Sequence, residues 1–271
     1  MKWFAKSYMG VILFILYVPI AVLILFSFNS GESTSVFEGL SLQWYKNLFL
    51  EKPELLEALL NSLLLALASA AVATVIGTLV AVGLSKMRSR AAKNAIMSVT
   101  NIPMMNPEIV TSISLMLLFV FISNHIFKSA DVQLGFGTLL ISHVTFNLPY
   151  VILSVSPKIQ QLDKFLPEAA QDLGCTPLSS FFKVELPNIL PGIISGFIMA
   201  FTLSLDDFVI SLFNGGDVFK TLPVLIYSYT KKPVKPDIYA LFTILVVVIL
   251  LLLVLSNVVS GRGERKEKRA K

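Results

Sequence analysis

Six apolar stretches, each of about 20 residues, dominate this chain of 271 residues. A helical stretch of that length spans the ~30 Å hydrocarbon core of a bilayer. The stretches cover about residues 8–28, 61–85, 96–123, 134–156, 189–213 and 238–259. The short alternating segments of a transmembrane barrel do not occur in the sequence. The sequence therefore predicts an all-α, polytopic membrane protein with six transmembrane helices in one domain, residues 1–271.

The composition supports the same class and excludes several others. Hydrophobic residues make up 55% of the chain and charged residues 14%, against roughly 45–50% and about 25% in soluble domains. So apolar a chain is not disordered. Its one cysteine, Cys175, rules out a disulfide scaffold. Its two histidines, His125 and His143, lie far apart in sequence, so no metal centre is expected.

The loop charges predict the orientation of the spans. Lys2 and Lys6 precede the first span, which is too long for a signal peptide and lacks a cleavage site, so we expect it to be retained. With six spans, the loops that share a side with the termini hold fifteen lysines and arginines, and the other loops hold seven. The positive-inside rule then places both termini in the cytoplasm. The basic tail, residues 261–271, is expected to lie near lipid headgroups.

The cytoplasmic loop of residues 157–187 is too structured for a simple tether. Pro167 and Glu168 are typical of a helix start, and Gly174 is typical of a helix end. A second helical turn is predicted around Leu178–Val184, and Pro187 opens the fifth span. Two interpretations are open, an amphipathic loop on the bilayer surface or a docking element for a cytoplasmic partner.

The third span contains two prolines, Pro103 and Pro107, followed by Glu108. Proline interrupts a helix, and an interrupted helix in a bilayer needs protein or a water-filled cavity beside it. Such breaks often mark transporter binding sites. The alternative is a kinked, packed helix in which Glu108 bonds to backbone.

The fifth span contains two adjacent acids, Asp206 and Asp207. Asp206 lies about 28 Å along a helix that begins at Pro187. Ser204, Asp207 and Ser211 would form one polar stripe on a continuous helix, which favours Asp207 as the pathway-facing acid, whereas Asp206 would face the pathway or a neighbouring subunit. Together with Glu108 these acids would form an anionic zone that suits a cationic ligand. The alternative is that they are solvated at the outer interface.

Trp44 and Tyr45 lie in the loop after the first span. They fit the aromatic belt of a membrane interface. They also fit a cation–π wall for an ammonium group.

Catalytic motifs do not occur in the sequence. It lacks a G-x-x-x-x-G-K-[ST] phosphate loop, so ATP would be handled by another chain, and the chain is predicted not to be an enzyme and to need no cofactor of its own. His125 is expected to be solvated. His143, near Asn147, is expected to hydrogen-bond between helices, and Cys175 is expected to be a packing residue.

The cytoplasmic loop resembles the EAA motif of ABC-importer permeases. Glu168-Ala169-Ala170 is followed after three residues by Gly174 and after nine more by Val184-Glu185-Leu186-Pro187. Only Val184 departs from the motif, where it replaces isoleucine. The stretch Ser204–Phe208, Asn29, Trp44-Tyr45 and the Pro107-Glu108 break resemble spermidine/putrescine permeases, and the order and lengths resemble the C-type permease subunit of that system.

The resemblance implies a type I importer bundle with a cytoplasmic coupling helix in a bacterial inner membrane. It implies a homologous permease as heterodimer partner, two copies of an ATPase that binds ATP, an extracytoplasmic polyamine-binding protein, and no nucleic acid. The expected substrate-binding residues are Asp206, Asp207, Glu108, Trp44 and Ser204. The expected coupling residues are Glu168, Ala169, Ala170, Gly174, Leu186 and Pro187.

Three alternatives to a polyamine permease stay open at this point. The first is an ABC permease for another small solute. The second is an ion-coupled secondary transporter that uses Glu108, Asp206 and Asp207 as a proton relay. The third is a membrane scaffold, which would leave the intramembrane acids unexplained.

Overall fold

The structure is a computed structural model that describes residues 2–31, 36–51, 53–127, 134–163, 165–230, 238–248 and 250. Its described residues are mostly helical, and the β-pairing among them is an isolated bridge between Asn29 and Leu40. The helices are α1 (Lys2–Ser27), α2 (Gln43–Glu51), α3 (Pro53–Lys86), α4 (Arg90–Met105), α5 (Glu108–Ile122), α6 (Phe136–Gln161), α7 (Leu166–Asp172), α8 (Pro177–Ser180), α9 (Leu186–Asp206), α10 (Val209–Asn214), α11 (Leu222–Thr230) and α12 (Ile238–Val248). Short π-helical turns follow α5 and α8, at Ser123–Phe127 and Phe181–Glu185.

Five helical segments of the described chain are long and apolar enough to cross a membrane. They are Ser7–Ser27, Pro53–Lys86, Glu108–His125, Phe136–Gln161 and Pro177–Asp206. The sixth predicted span is represented by α12, a shorter apolar helix. Its remainder apart from residue 250, and the basic tail 261–271, lie outside the described residues. The all-α membrane class is confirmed, and α3 is longer than the predicted span 61–85 because it begins at Pro53.

The chain forms two compact units. The first contains Met1–Leu59 and Leu225–Val258, and the second contains Leu60–Val224 and Val259–Lys271. In the first unit, Asn29 organises the turn after α1: its side chain donates to the carbonyl of Val36 and accepts from the N–H of Glu38, both at 2.8 Å. Tyr45 in α2 hydrogen-bonds to Ser27 in α1 at 2.8 Å, so α2 is anchored to the end of α1.

The core of the second unit is built where α6 packs against α3 and α9. Small residues allow this approach, because a Cβ added at Gly77 would lie 2.7 Å from the side chain of Val151, and one at Gly196 would lie 3.3 Å from the Cα of the same valine. Asn147 lies four residues before Val151 on α6 and is fully buried. Another four residues earlier is His143, at the level of Ser204.

Candidate functional site

The break in the third span places Glu108 at the start of a helix. Asn106 ends α4 in an extended conformation (ψ 143°), as expected for a residue before proline. Pro107 then precedes α5, whose first residue is Glu108. The predicted interruption is confirmed, although α4 continues through Pro103 and breaks only at Asn106-Pro107. Glu108 is exposed.

The fifth span is also interrupted, which the continuous helix over 189–213 did not predict. Helix α9 ends at Asp206, Asp207 is extended (φ −64°, ψ 123°), and α10 begins at Val209. The Asp207 carboxylate accepts hydrogen bonds from the N–H groups of Ile210 (3.3 Å) and Ser211 (2.9 Å). It therefore caps the first turn of α10. The expectation of one continuous helix was wrong because it ignored this competing use of an aspartate side chain.

The two adjacent aspartates have opposite environments. Asp207 is buried and Asp206 is exposed. Asp207 is thus occupied by protein groups, whereas the carboxylate of Asp206 is open. The sequence argument favoured Asp207 as the pathway-facing acid, and that assignment stays a prediction; in the structure Asp207 is the more buried of the two.

Polar side chains of α9, of α10 and of Asp207 between them converge on His143 of α6, which is 1% exposed. Its Nδ1 lies 2.6 Å from Oγ of Ser204, and its Nε2 lies 3.4 Å from Oγ of Ser211 and 3.5 Å from Oδ2 of Asp207. Ser69 in α3 extends the set through a 2.9 Å contact with Ser204. The polar grouping of Ser204, Asp207 and Ser211 is therefore present despite the broken helix. We call Ser69, His143, Ser204, Asp207 and Ser211 the histidine cluster.

Helix α10 also holds the beginning of α5. Ser112, one turn after Glu108, donates to the carbonyl of Val209 at 3.2 Å. Asn214, at the end of α10, donates to Oγ of Ser112 at 3.1 Å. The carbonyl of Asn214 in turn accepts from Thr138 of α6 at 2.8 Å. These bonds bring the breaks of the third and fifth spans together.

Because the two breaks lie together, the like charges of Glu108, Asp206 and Asp207 repel one another. In the described part of the chain, no lysine or arginine forms an ion pair with these three carboxylates. We call the three residues the anionic zone. Two of its carboxylates, those of Glu108 and Asp206, are exposed and free to contact a cation.

Trp44 belongs to the first unit. It is 7% exposed, and its indole N–H donates to the carbonyl of Asn29 at 2.6 Å. The side chain thus ties α2 to the turn after α1. Its role as a cation–π wall stays a prediction.

The loop of residues 157–187 contains the predicted helix and stop. Helix α7 carries Glu168 in its first turn. The N–H of Cys175 bonds to the carbonyl of Ala170 (3.1 Å) and that of Gly174 to Gln171 (2.9 Å), the two bonds of a Schellman motif. Gly174 has φ +92°, a conformation that side chains disfavour. The predicted second helical turn is present as α8 and the π-helical turn after it.

Around α7 and α8 the loop exposes large apolar side chains. Leu173 is 88% exposed, and Phe165 and Leu178 are each 72% exposed. The loop is attached to the end of α3 by an ion pair, because Lys86 Nζ lies 3.0 Å from Oε1 of the buried Glu185. An exposed apolar surface on an anchored loop is typical of a contact site.

Several residues of this site were not found from the sequence. The coupling of His143 to Asp207, the contributions of Ser69 and Ser112, and the Lys86–Glu185 pair each join residues distant in sequence. The sequence showed only that a polar residue, His143, lies within an apolar span. That predicted a hydrogen bond for His143 but not its partners.

A sequence profile of the family described as "Binding-protein-dependent transport system inner membrane component" matches residues 73–268. The chain belongs to this family. Membership confirms that the chain is a transport component of the ABC permease type and not an enzyme.

Among relatives of this permease is the spermidine/putrescine transport system permease protein PotC of Haemophilus influenzae, 37% identical over 94% of this chain and 95% of the relative. Another is the putrescine transport system permease protein PotI of Escherichia coli strain K12, 40% identical over 85% of this chain and 81% of the relative. The permease also shares its fold with a chain of a bacterial ABC transporter that imports alginate, with a TM-score of 0.76 and 17% identity over 96% of both chains.

Proposed function

We propose that this permease is one of two transmembrane subunits of an ATP-driven importer of polyamines. The observation that carries the proposal is the anionic zone, where two exposed carboxylates lie at the breaks of two membrane spans. An ammonium group bound there forms charge-assisted hydrogen bonds, which are stronger than neutral ones. The kinship with spermidine/putrescine and putrescine permeases supports the same substrate class.

Within the zone we assign Glu108 and Asp206 to direct contact with the ammonium groups. Asp207 adds negative charge from its buried position, and Ser204 shapes the zone through His143. Negative charge favours di- and polyamines over anions by simple electrostatics.

The coupling loop is the second functional element of the proposal. Helix α7, with Glu168, Ala169, Ala170 and Gly174, docks into a cleft of a separate ATPase, and Leu186 and Pro187 carry the motion into α9. The exposed side chains of Phe165, Leu173 and Leu178 provide the apolar part of that contact. ATP is bound by two copies of the ATPase, so the permease needs no cofactor of its own.

The remaining partners are a homologous permease and an extracytoplasmic solute-binding protein. The alginate transporter that shares the fold was solved in complex with a periplasmic protein bound to an alginate pentasaccharide. In the proposed assembly both termini and the coupling loop lie in the cytoplasm of a bacterial cell whose inner membrane holds the complex.

The test is uptake of labelled spermidine and putrescine by cells that produce the complete transporter, compared with cells that lack only this chain. We expect saturable, ATP-dependent uptake that unlabelled polyamines inhibit and neutral or anionic solutes do not. Inhibition by another solute class alone would assign the permease to that solute. Uptake that follows the proton gradient without ATP would favour the secondary transporter.

The same cells test the assembly. A tagged permease should co-purify with an ABC ATPase and a second permease of the same family. Its purification without an ATPase, under detergent conditions that preserve other ABC importers, would contradict the proposed coupling.

A further inference from the structure

The interruption between α9 and α10 needs a cause within the protein. The residues around it, Leu205 to Val209, include neither proline nor glycine, which cause most sharp breaks in helices. The break instead depends on Asp207, whose carboxylate competes for the N–H groups of Ile210 and Ser211. Anything that orients this carboxylate therefore sets the direction in which the chain leaves α9.

His143 is the residue that contacts the Asp207 carboxylate from outside the broken span. Nε2 of His143 lies 3.5 Å from Oδ2 of Asp207 and 3.4 Å from Oγ of Ser211, and an ionised Asp207, which only accepts hydrogen bonds, selects the tautomer with the proton on Nε2. Nδ1 is then the acceptor for the hydroxyl of Ser204, at 2.6 Å. The ring thus connects the last turn of α9, through Ser204, to the first turn of α10, through Asp207 and Ser211.

The position of the ring is itself fixed. His143 is 1% exposed, and Ser69 of α3 supports Ser204 at 2.9 Å. The close packing of α6 at Val151, between Gly77 and Gly196, sets the height of His143 relative to α3 and α9. The imidazole is therefore a rigid bridge across the break.

We infer that His143 is the positioning residue of the anionic zone: by bridging Ser204 and Asp207 it fixes the break of the fifth span, and the break places Asp206 beside Glu108. His143 contacts no substrate in this scheme. It acts through the conformation at Asp207, and the adjacent carboxylate of Asp206 points out of the packed interior because Asp207 points into it. What the zone binds rests on the proposed function, whereas the positioning does not.

A labelling experiment in the assembled transporter tests the positioning directly. Asp206→Cys is introduced in a Cys175→Ser background, and its rate of reaction with a membrane-impermeant cationic thiol reagent is measured. His143→Phe keeps a ring but removes the hydrogen bonds to Ser204 and Ser211 and the polar contact with Asp207. We expect the rate to change about fivefold or more, as for loss of a neutral hydrogen bond. His143→Gln keeps a donor for Asp207 and should stay closer to the original rate.

The matched control is Asn147→Ala, which alters a buried polar residue one turn along the same helix. Both amide atoms of Asn147 lack a hydrogen-bond partner within the described part of the chain, so the labelling rate should be retained. If His143→Phe does not accumulate, Ser204→Ala removes the hydroxyl that bonds to Nδ1 and should shift the rate in the same direction. An unchanged rate in the variant that accumulates would overturn the inference.

Transport provides the second readout, with Asp206 intact. His143→Phe should raise the KM for polyamine uptake at matched membrane abundance while the maximal rate of ATP hydrolysis is retained, and His143→Gln should restore much of the affinity. A lower maximal rate with unchanged KM would indicate a purely structural role and would contradict positioning. If the wild-type permease takes up no polyamine, the proposed function fails, and the labelling rates still decide the role of His143.

Discussion

The carboxylates of Asp206 and Glu108 differ from other exposed acids of this chain because they lie at interruptions of apolar spans. Asp206→Asn and Glu108→Gln keep the shape of each side chain and remove its charge. We expect each to weaken polyamine uptake roughly 10- to 100-fold in apparent affinity, because a hydrogen bond to a charged group contributes about 1.5–3 kcal/mol. The measurement is the concentration dependence of uptake at matched membrane abundance.

Asp217→Asn is the control for this pair. Asp217 is exposed, lies beyond α10, and undergoes the same loss of charge. It should leave uptake unchanged. Normal affinity in both Asp206→Asn and Glu108→Gln would show that these residues are solvated acids at the membrane interface and do not bind the cation.

At this scale the sequence predicted residue types better than residue contacts. The three acids and the inter-helix bonding of His143 were predicted because charged and polar groups are costly inside an apolar span and need partners. The sequence did not predict which of Asp206 and Asp207 is exposed and which is buried. The two adjacent residues carry the same side chain, and only the backbone conformation at Asp207 distinguishes them.

Among the elements, α7 depends on the backbone of Gly174 for its end. Gly174→Leu forces a branched side chain into φ +92°, a region that costs non-glycine residues about 1–2 kcal/mol. We expect loss of the Schellman turn, weaker association with the ATPase and loss of substrate-stimulated ATP hydrolysis, with normal membrane insertion. Stimulated hydrolysis in the purified complex checks this.

The chain supplies a matched control in Gly83→Leu. Gly83 lies within helical α3, and a Cβ added there has open space around it. The same substitution there should preserve hydrolysis. Equal activity in the two variants would show that the turn at Gly174 is dispensable for coupling.

The Lys86–Glu185 pair attaches the coupling loop to α3, and Glu185 is buried whereas the Lys86 side chain is 59% exposed. Lys86→Glu places two acids together and should reduce the amount of substrate transported per ATP hydrolysed. We expect the free energy that holds the loop to α3 to fall by an amount between the ~0.2–1 kcal/mol of an exposed ion pair and the ~3–5 kcal/mol of a buried one. Adding Glu185→Lys should restore part of the coupling.

Arg88→Glu makes the same charge change two residues away and should have little effect on this ratio. The ratio of uptake to hydrolysis in reconstituted vesicles distinguishes the variants. An equal loss in the double variant would mean that the pair does not hold the loop.

For the molecule as a whole, the predicted topology places residue 172 in the cytoplasm and residue 43 outside. In a Cys175→Ser background, an impermeant thiol reagent should label Gln43→Cys in intact cells and should label Asp172→Cys only after the membrane is permeabilised. Both positions are exposed in the structure, so accessibility within the protein does not limit the reaction. Labelling of position 172 in intact cells would overturn the orientation.

The sequence predicted the architecture at this scale because the thickness of the bilayer sets the length of each apolar stretch. The spacing of the EAA-like motif is likewise set by the structure of the coupling loop. The sequence did not predict the break of the fifth span, since the residue types alone do not show that the Asp207 side chain accepts hydrogen bonds from the N–H groups of Ile210 and Ser211. The continuous α3 from Pro53 was likewise missed, because its first turn is polar and does not resemble a membrane segment.

The contact of Val151 with Gly77 and Gly196 has a mechanical consequence. Because the valine fills the space beside both glycines, sliding of α6 along α3 or α9 requires repacking, and we expect the three helices to move together as one lever. The coupling loop leads directly into α9, so we expect a displacement of α7 to be transmitted to the base of this lever. Over the ~30 Å length of α9, a tilt of about 10° moves its far end by about 5 Å. If α7 docks onto an ATPase as proposed, we expect a small displacement there to open or close the space around Asp206.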